Sequence, residues 1–489
     1  MPCKKEFAMD IFNKNHGSFK VYKKGEIMKM LTSYISGIRD QTHGESYASI
    51  LRYFIPEFIT ALVLLLYVLD AWWVAHLKST AMYATAGTIK DWMHFITKIA
   101  EGLSIGTTII SGHYNGMNDH KEVGKTMVNA FWATVITGGV IAAGLFFGAY
   151  WIYYFYGVPN KMIVLGVPLL RLRALSIFFM FIYFAIVGFL RGIKKPKVPM
   201  QIFTAGAFIF LFFDYCLIFG TFGFPQLGLK GSALASVIQY GFMLVAGLSY
   251  LVIDKENRKY GFHLIAEKIN FKRIKEIFSI SCPIMLDKGT LAAVPLWLGY
   301  LINPMGVYAI ASYTVIKDLE RLAILPAAAF AQVITFLVSN AYGTHDWEGI
   351  KSTIKKTIFL SSFFVFSILF IFSVWPEFFI QLFDHKDKFT TFAAKIFPVL
   401  SVLVFCDLLQ LILAGAMRGA ANVNMVMWVR VAICLFFFAP ISWFFSRLPL
   451  ENHSLKFLLV YSTFYLGSGL MSILYIYRFR GERWQHKSI

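Results

Sequence analysis

Charged residues are scarce in this chain. Only 15% of its 489 residues are Asp, Glu, Lys or Arg, where soluble domains carry about 25%. That shortage excludes an ordinary soluble enzyme. Acidic residues are the scarcer sign, 27 against 46 basic, and the formal net charge is +19. Cysteine is scarce too. Cys3, Cys216, Cys282, Cys406 and Cys434 are odd in number and form no C-x-x-C, which excludes a disulfide framework and a zinc site. Four of them lie in apolar runs and read as small packing residues. No H-E-x-x-H, G-x-S-x-G or Walker A sequence occurs, so no catalytic constellation stands out and P-loop nucleotide hydrolysis is excluded. The reading is of a protein that is not an enzyme.

What fills the chain is apolar. Hydrophobic residues make up 57%, with 50 Phe, 24 Tyr and 11 Trp, far too many to stay solvated as a disordered chain. Residues 1–50 are polar and basic, without a short basic region leading promptly into an apolar core. They read as a cytoplasmic arm along the membrane surface rather than a cleaved signal. Twelve apolar runs follow, near 54–77, 85–112, 127–156, 163–190, 199–221, 229–253, 277–302, 306–341, 356–383, 393–417, 425–446 and 456–477. They are long and continuous, which excludes a β-barrel and predicts an all-α polytopic membrane protein with twelve spans. The basic residues fall mostly between the runs, so they bear on membrane orientation rather than on nucleic acid. Loops after even-numbered spans hold Lys121 and Lys125; Arg191, Lys194, Lys195 and Lys197; seven Lys or Arg within 254–276; Lys351, Lys355 and Lys356; and Arg418. The alternate loops are poorer. The positive-inside rule then places both termini in the cytoplasm.

The two halves align at a single offset. Pro56 and Pro283 lie 227 residues apart, and so do Ile89-Lys90-Asp91 and Ile316-Lys317-Asp318. Gly116 and Asp119 recur as Gly343 and Asp346, and Gly188, Arg191 and Gly192 recur as Gly415, Arg418 and Gly419. Six spans per half is even, so the repeat is parallel, with a pseudo-two-fold axis along the membrane normal. The expected units are an N-lobe over 51–253, a charged linker over 254–276, a C-lobe over 277–480 and a tail over 481–489. Proteins of this design bind substrate between the halves and expose it alternately.

Ionisable residues at membrane depth are costly and mark function by default. Asp70 and Asp214 fall at matched depth in the first lobe, where two enclosed carboxylates can share a proton. In the second lobe Asp287 and Asp407 read as a second cation site, or Lys288 neutralises Asp287 as a structural pair. On span two, Asp91, His94, Lys98 and Glu101 follow i, i+3, i+7, i+10 spacing and share a face. Span eight carries Lys317, Asp318, Glu320 and Arg321. Such stripes face a static network of ion pairs or a watery cavity wall. Across the two-fold, Asp91, His94 and Lys98 are predicted to face Asp318 and Arg321 as an outer gate or a substrate site.

These residues resemble the multidrug and toxic compound extrusion (MATE) family over roughly residues 50–480. Pro56 followed by Leu69-Asp70-Ala71-Trp72-Trp73-Val74 is similar to the family's Pro … V-D-x-x-x-V. Leu190-Arg191-Gly192 … Pro199-Met200 is similar to L-R-G-x-G-D-x-x-x-P-M, and Phe213-Asp214 … Ile218-Phe219-Gly220 to L-D-P-x-x-I-F-G. Asp407-Leu408-Leu409-Gln410 … Met417-Arg418-Gly419 is similar to D-x-x-Q … L-R-G. The resemblance implies proton coupling at Asp70 and Asp214, cation coupling at Asp407, and Gln410 as a cavity or gate residue. The charged spans two and eight depart from the family pattern. The function it implies is proton- or sodium-coupled antiport of small organic or xenobiotic compounds. The alternative is a lipid-linked oligosaccharide flippase of the wider superfamily. The expected partners are a small-molecule substrate, the coupling ion and the bilayer of the plasma (inner) membrane, with no nucleic acid. No metal or cofactor is expected beyond the transported ion, and the chain is expected to be a monomer.

Overall fold

The structure, a computed structural model, describes residues 32, 34–40, 42–77, 80–155, 160–261, 270–381, 390–450, 453–481 and 484–485. Most of the N-terminal arm and tail, and part of the linker, therefore lie outside the described residues, as do the side chains of 80–92. Twelve long helical segments follow in order. Spans one to six are Tyr47–Val74, Thr80–Gly116, His120–Tyr154, Met162–Gly192, Lys197–Phe219 and Leu229–Ile253. Spans seven to twelve are Phe271–Met305, Ala309–Gly343, Trp347–Val374, Ala393–Gly419, Val423–Arg447 and Ser454–Arg480. Eleven are long and apolar enough to cross a membrane. Span two, a 37-residue helix, is the one with the charged stripe.

Two spans change pitch for local reasons. Span eleven carries a π-turn at Cys434–Phe438, just before Pro440. A proline in a helix lacks the N–H and collides with the carbonyl four residues back, and one extra residue in the turn relieves both. Span one tightens to a 3₁₀ turn at Leu64–Tyr67, one turn ahead of Asp70.

The offset seen in the sequence is repeated in the backbone. The helix Thr80–Gly116 and its counterpart Val307–Gly343 start and stop 227 residues apart. The left-handed residues Asn118 and Lys194 have left-handed counterparts at His345 and Ala421. Asp119 Oδ1 accepts from the Glu122 amide at 3.1 Å, and Asp346 Oδ1 from the Gly349 amide at 2.8 Å. Both aspartates are therefore helix N-caps, which explains their recurrence. Thr108 Oγ1 donates to the Gly188 carbonyl at 3.0 Å, and Thr335 Oγ1 to the Gly415 carbonyl at 3.1 Å. A Cβ at Gly188 would strike the Ser104 carbonyl, and one at Gly415 the Ala331 carbonyl. Small residues let these helices approach closely inside lipid, where packing rather than hydrophobicity drives association.

The halves also exchange material. Ile50 and Phe54 at the start of span one belong to the second lobe's core, with Phe54 stacked on Phe330 at 4.0 Å. Ile277, Ile280 and Ile284 of span seven belong to the first lobe's core. The lobes meet on the face that carries the described chain ends. There a Cβ at Gly116 would collide with the Asn340 carbonyl, and one at Gly343 with the His113 carbonyl. His113 Nε2 donates to the Gly419 carbonyl at 3.0 Å, and Asn340 Nδ2 to the Gly192 carbonyl at 2.8 Å. His113 and Asn340 are equivalent positions of the repeat, so these bonds are one contact made twice about the axis. Among the described glycines of span two, Gly102, Gly106, Gly112 and Gly116 touch the second lobe. The lobes are closed at the terminal face, and farther along span two Lys98 and Glu101 remain a quarter exposed.

Candidate functional site: carboxylates inside each lobe and a charged cleft floor

Span one brings Asp70 to span six, where Ser232 Oγ donates to Asp70 Oδ1 at 2.8 Å. Ser232 and Ser236 lie one turn apart on the same helix face. Both accept from Arg173 of span four, at 3.0 and 2.5 Å. Asp214 of span five is fully buried, and neither of its oxygens has a hydrogen-bond partner among the described residues. Asp70 and Arg173 are the charges acting on it. The structure thus brings Asp70 and Asp214 together and adds Arg173, which sequence reasoning passed over. Its signal was present, as an arginine within the apolar run of span four.

In the second lobe Asp407 Oδ1 accepts from Ser468 Oγ of span twelve at 3.1 Å. The carboxylate beside it is Glu320 of span eight, which accepts from the Tyr461 hydroxyl. Glu320 leaves the span-eight stripe and turns into the lobe, with one oxygen unpartnered. Asp287, expected beside Asp407 as a cation ligand or paired with Lys288, is in neither arrangement. Its oxygens accept from Arg418 at 2.5 Å and from Arg430. Two arginines already neutralise it. The first lobe has a matching clamp, in which Arg191, the equivalent of Arg418, grips both oxygens of Glu57 at 2.7 and 2.6 Å. Gln410 is corrected as well. It lies one turn from Asp407, on the face turned into the lobe, and is fully enclosed rather than lining the cleft.

Between the lobes, Lys98 pairs with Glu101 on its own helix at 2.9 Å. Lys288 of span seven and His94 also act on Glu101. The predicted facing of Lys98 and His94 with Asp318 and Arg321 does not appear as an ion pair among the described residues. The i, i+3 partner on the same helix is nearer than anything across the cleft. Lys317 instead lies over the Tyr313 ring at 5.3 Å. Arg321, the equivalent of His94, is exposed. The Asp91 side chain lies outside the described residues. No cluster of three or more metal-ligating side chains occurs among the described residues.

The MatE family model matches residues 58–216 and 283–444, one match in each half. The chain belongs to the MATE family. It is an integral, multi-pass membrane transporter. Its curated relatives include the probable multidrug resistance protein NorM of Thermotoga maritima, 23% identical over 65% of this chain and 68% of that one. The probable multidrug resistance protein YoeA of Bacillus subtilis is 23% identical over 68% of this chain and 71% of that one. Among solved structures, a MATE in the bent conformation superposes with a TM-score of 0.81 at 18% identity, covering 91% of this chain and 96% of that one. An outward-facing multidrug resistance MATE transporter of the MOP superfamily gives 0.79 at 18% identity, covering 91% and 98%. These likenesses establish the twelve-helix, two-lobe fold of this MATE transporter.

Proposed function

We propose that this MATE transporter exports small organic compounds across the plasma membrane by cation-coupled antiport. The closed face carrying the termini is cytoplasmic, in keeping with the excess of Lys and Arg in its loops. The observation that carries the reading is Asp214, fully enclosed next to Asp70 and in no ion pair among the described residues. Two carboxylates enclosed together repel as a dianion, and one proton between them removes the repulsion. The pair rests with that one shared proton, and a second proton arriving from outside neutralises it. Arg173, held by Ser232 and Ser236, then loses its counter-charge and must seek another. That change repacks spans one, four and six, and the 3₁₀ turn ahead of Asp70 is where span one yields. Asp407 and Glu320 form the corresponding cation-responsive pair of the second lobe.

Proteoliposomes with imposed proton and sodium gradients, tested separately, distinguish the ion. Uphill substrate movement driven by the proton gradient, and its loss in Asp70→Asn and Asp214→Asn, is the expected outcome. Drive by sodium alone, unaffected by either variant, would sink the first-lobe mechanism and leave Asp407 and Glu320 as the coupling site.

A further inference from the structure

Of the described glycines of span two that meet the second lobe, Gly102 lies farthest from the terminal face, and an added Cβ there would strike Met285 of span seven. Span two and span seven run in opposite directions, so Lys98 and Glu101 on one and Lys288 on the other all project just beyond that contact. They form the floor of the cleft. Gly289, next to Lys288, has nothing within 4 Å.

Among the described side chains, the floor holds two lysines against one glutamate. Lys98 and Glu101 satisfy each other at 2.9 Å. Lys288 makes no hydrogen bond or ion pair with a described residue, although Glu101 acts on it from across the cleft. The carboxylate adjacent to it in sequence acts on it too but makes no ion pair with it. Successive helical residues diverge by about 100°, and Asp287 points to Arg418 and Arg430 instead. Glu57 is likewise held by Arg191, and Glu320 by Tyr461.

An ammonium group in an open cleft is hydrated. When the lobes close over it that water leaves, and a charge stripped of both water and partner costs several kcal/mol. An anion arriving with the substrate removes this cost, and a cation adds to it. We infer that the cleft floor binds the anionic group of the transported solute, a carboxylate, sulfonate or phosphate, with Lys288 as its counter-charge and the Lys98–Glu101 pair beside it. This rests on the transport reading above and specifies its substrate class. The lone cation also makes the empty cleft expensive to occlude, so passage between states is tied to cargo.

Binding to the full-length protein in detergent tests this without any ion gradient. Three probes are used: fluorescein as an anionic solute, ethidium as a cationic one, and a short-chain fluorescent phosphatidic acid as an anionic lipid headgroup. Fluorescein or the phosphatidic acid is expected to raise the unfolding temperature of the wild type, and ethidium is not. The anionic probe that works identifies a free solute or a lipid as the source. Lys288→Gln should weaken that anion at least tenfold and Lys288→Arg should restore it. Lys288→Glu should transfer the stabilisation to ethidium, a reversal that a purely structural lysine would not produce. Stabilisation of the wild type by ethidium alone, by none of the three, or by an anion unaffected in Lys288→Gln, overturns the inference. Anion binding without gradient-driven movement would leave the site standing and remove the antiporter.

Discussion

Asp287 and Asp214 are both enclosed carboxylates in opposite circumstances. Asp287 has an arginine on each oxygen, whereas Asp214 has no ion pair among the described residues. Asn at the two positions should therefore act in opposite ways. Asp287→Asn strands two buried guanidinium groups and should lower stability by about 3–5 kcal/mol, the cost of breaking a buried pair. Asp214→Asn keeps the shape, strands no cation bonded to that carboxylate, and should stay within about 1 kcal/mol of wild type. Thermal unfolding in detergent separates them, and equal losses would mean the two environments have been misassigned. Asp70, Asp214 and Asp407 were legible because a carboxylate in an apolar run stands out. The role of Asp287 was not, since its arginines come from 131 and 143 residues away along the chain.

The segment ahead of span one acts as a strap between the lobes. Lys356 of span nine donates to the carbonyls of His43 and Glu45 at 3.0 and 3.1 Å, and Thr353 Oγ1 accepts from the Glu45 amide. The Glu45 carboxylate reaches the other lobe, accepting from Lys194 Nζ at 2.8 Å. Gly44 holds a left-handed turn against the Gly349 carbonyl, where a Cβ would not fit. Beneath the strap lies a polar cavity of about 490 Å³, bordered by Asn115, Asn340 and Asp346. Burial pushes the Glu45 carboxyl up, but Lys194, Ser49 and Lys356 outweigh it and hold the group below its ordinary 4.5. The sign follows. The strap is at full strength above pH 4.5 and weakens as the pH falls through the lower folded value. Acidification should therefore widen the terminal face, read as spin-label distances between the ends of spans two and eight. Glu45→Gln should be wide already at neutral pH and insensitive to acid. A wild type that does not widen would remove the strap. At the same scale, Asp346→Ala deletes a helix cap and should cost about 1 kcal/mol.

Across the whole molecule, closure of the terminal face rests on contacts made in duplicate. Asn340→Ala deletes the bond to the Gly192 carbonyl and the one accepted from Asn115 Nδ2, both across the interface. A net hydrogen bond is worth about 1 kcal/mol, so losing two should lower the closed population about thirtyfold relative to the open one. Gly343→Ala drives a methyl group at the His113 carbonyl and should open the same face further. Labelling of cysteines introduced at the terminal ends of spans two and eight should rise in that order. Unchanged labelling in both variants would show that closure is held elsewhere.

Much of this architecture is a consequence of local sequence. Apolar runs of span length must be helices in a bilayer, since a helix satisfies its own backbone. The 227-residue offset follows from glycines and caps whose demands are local, so it survives as matching helix ends and left-handed turns. The first-lobe carboxylates share a depth that counting along a helix reveals. Rotation about each helix axis, by contrast, is set by neighbours far away in the chain. That is why Gln410 turns inward, why Glu320 leaves its stripe for Tyr461, and why Lys98 takes Glu101 rather than a residue across the cleft. Only tertiary packing could assign Asp287 to its arginines and so leave Lys288 without an ion pair among the described residues. A charge inside a membrane takes the nearest opposite charge in space, and sequence distance carries no information about that.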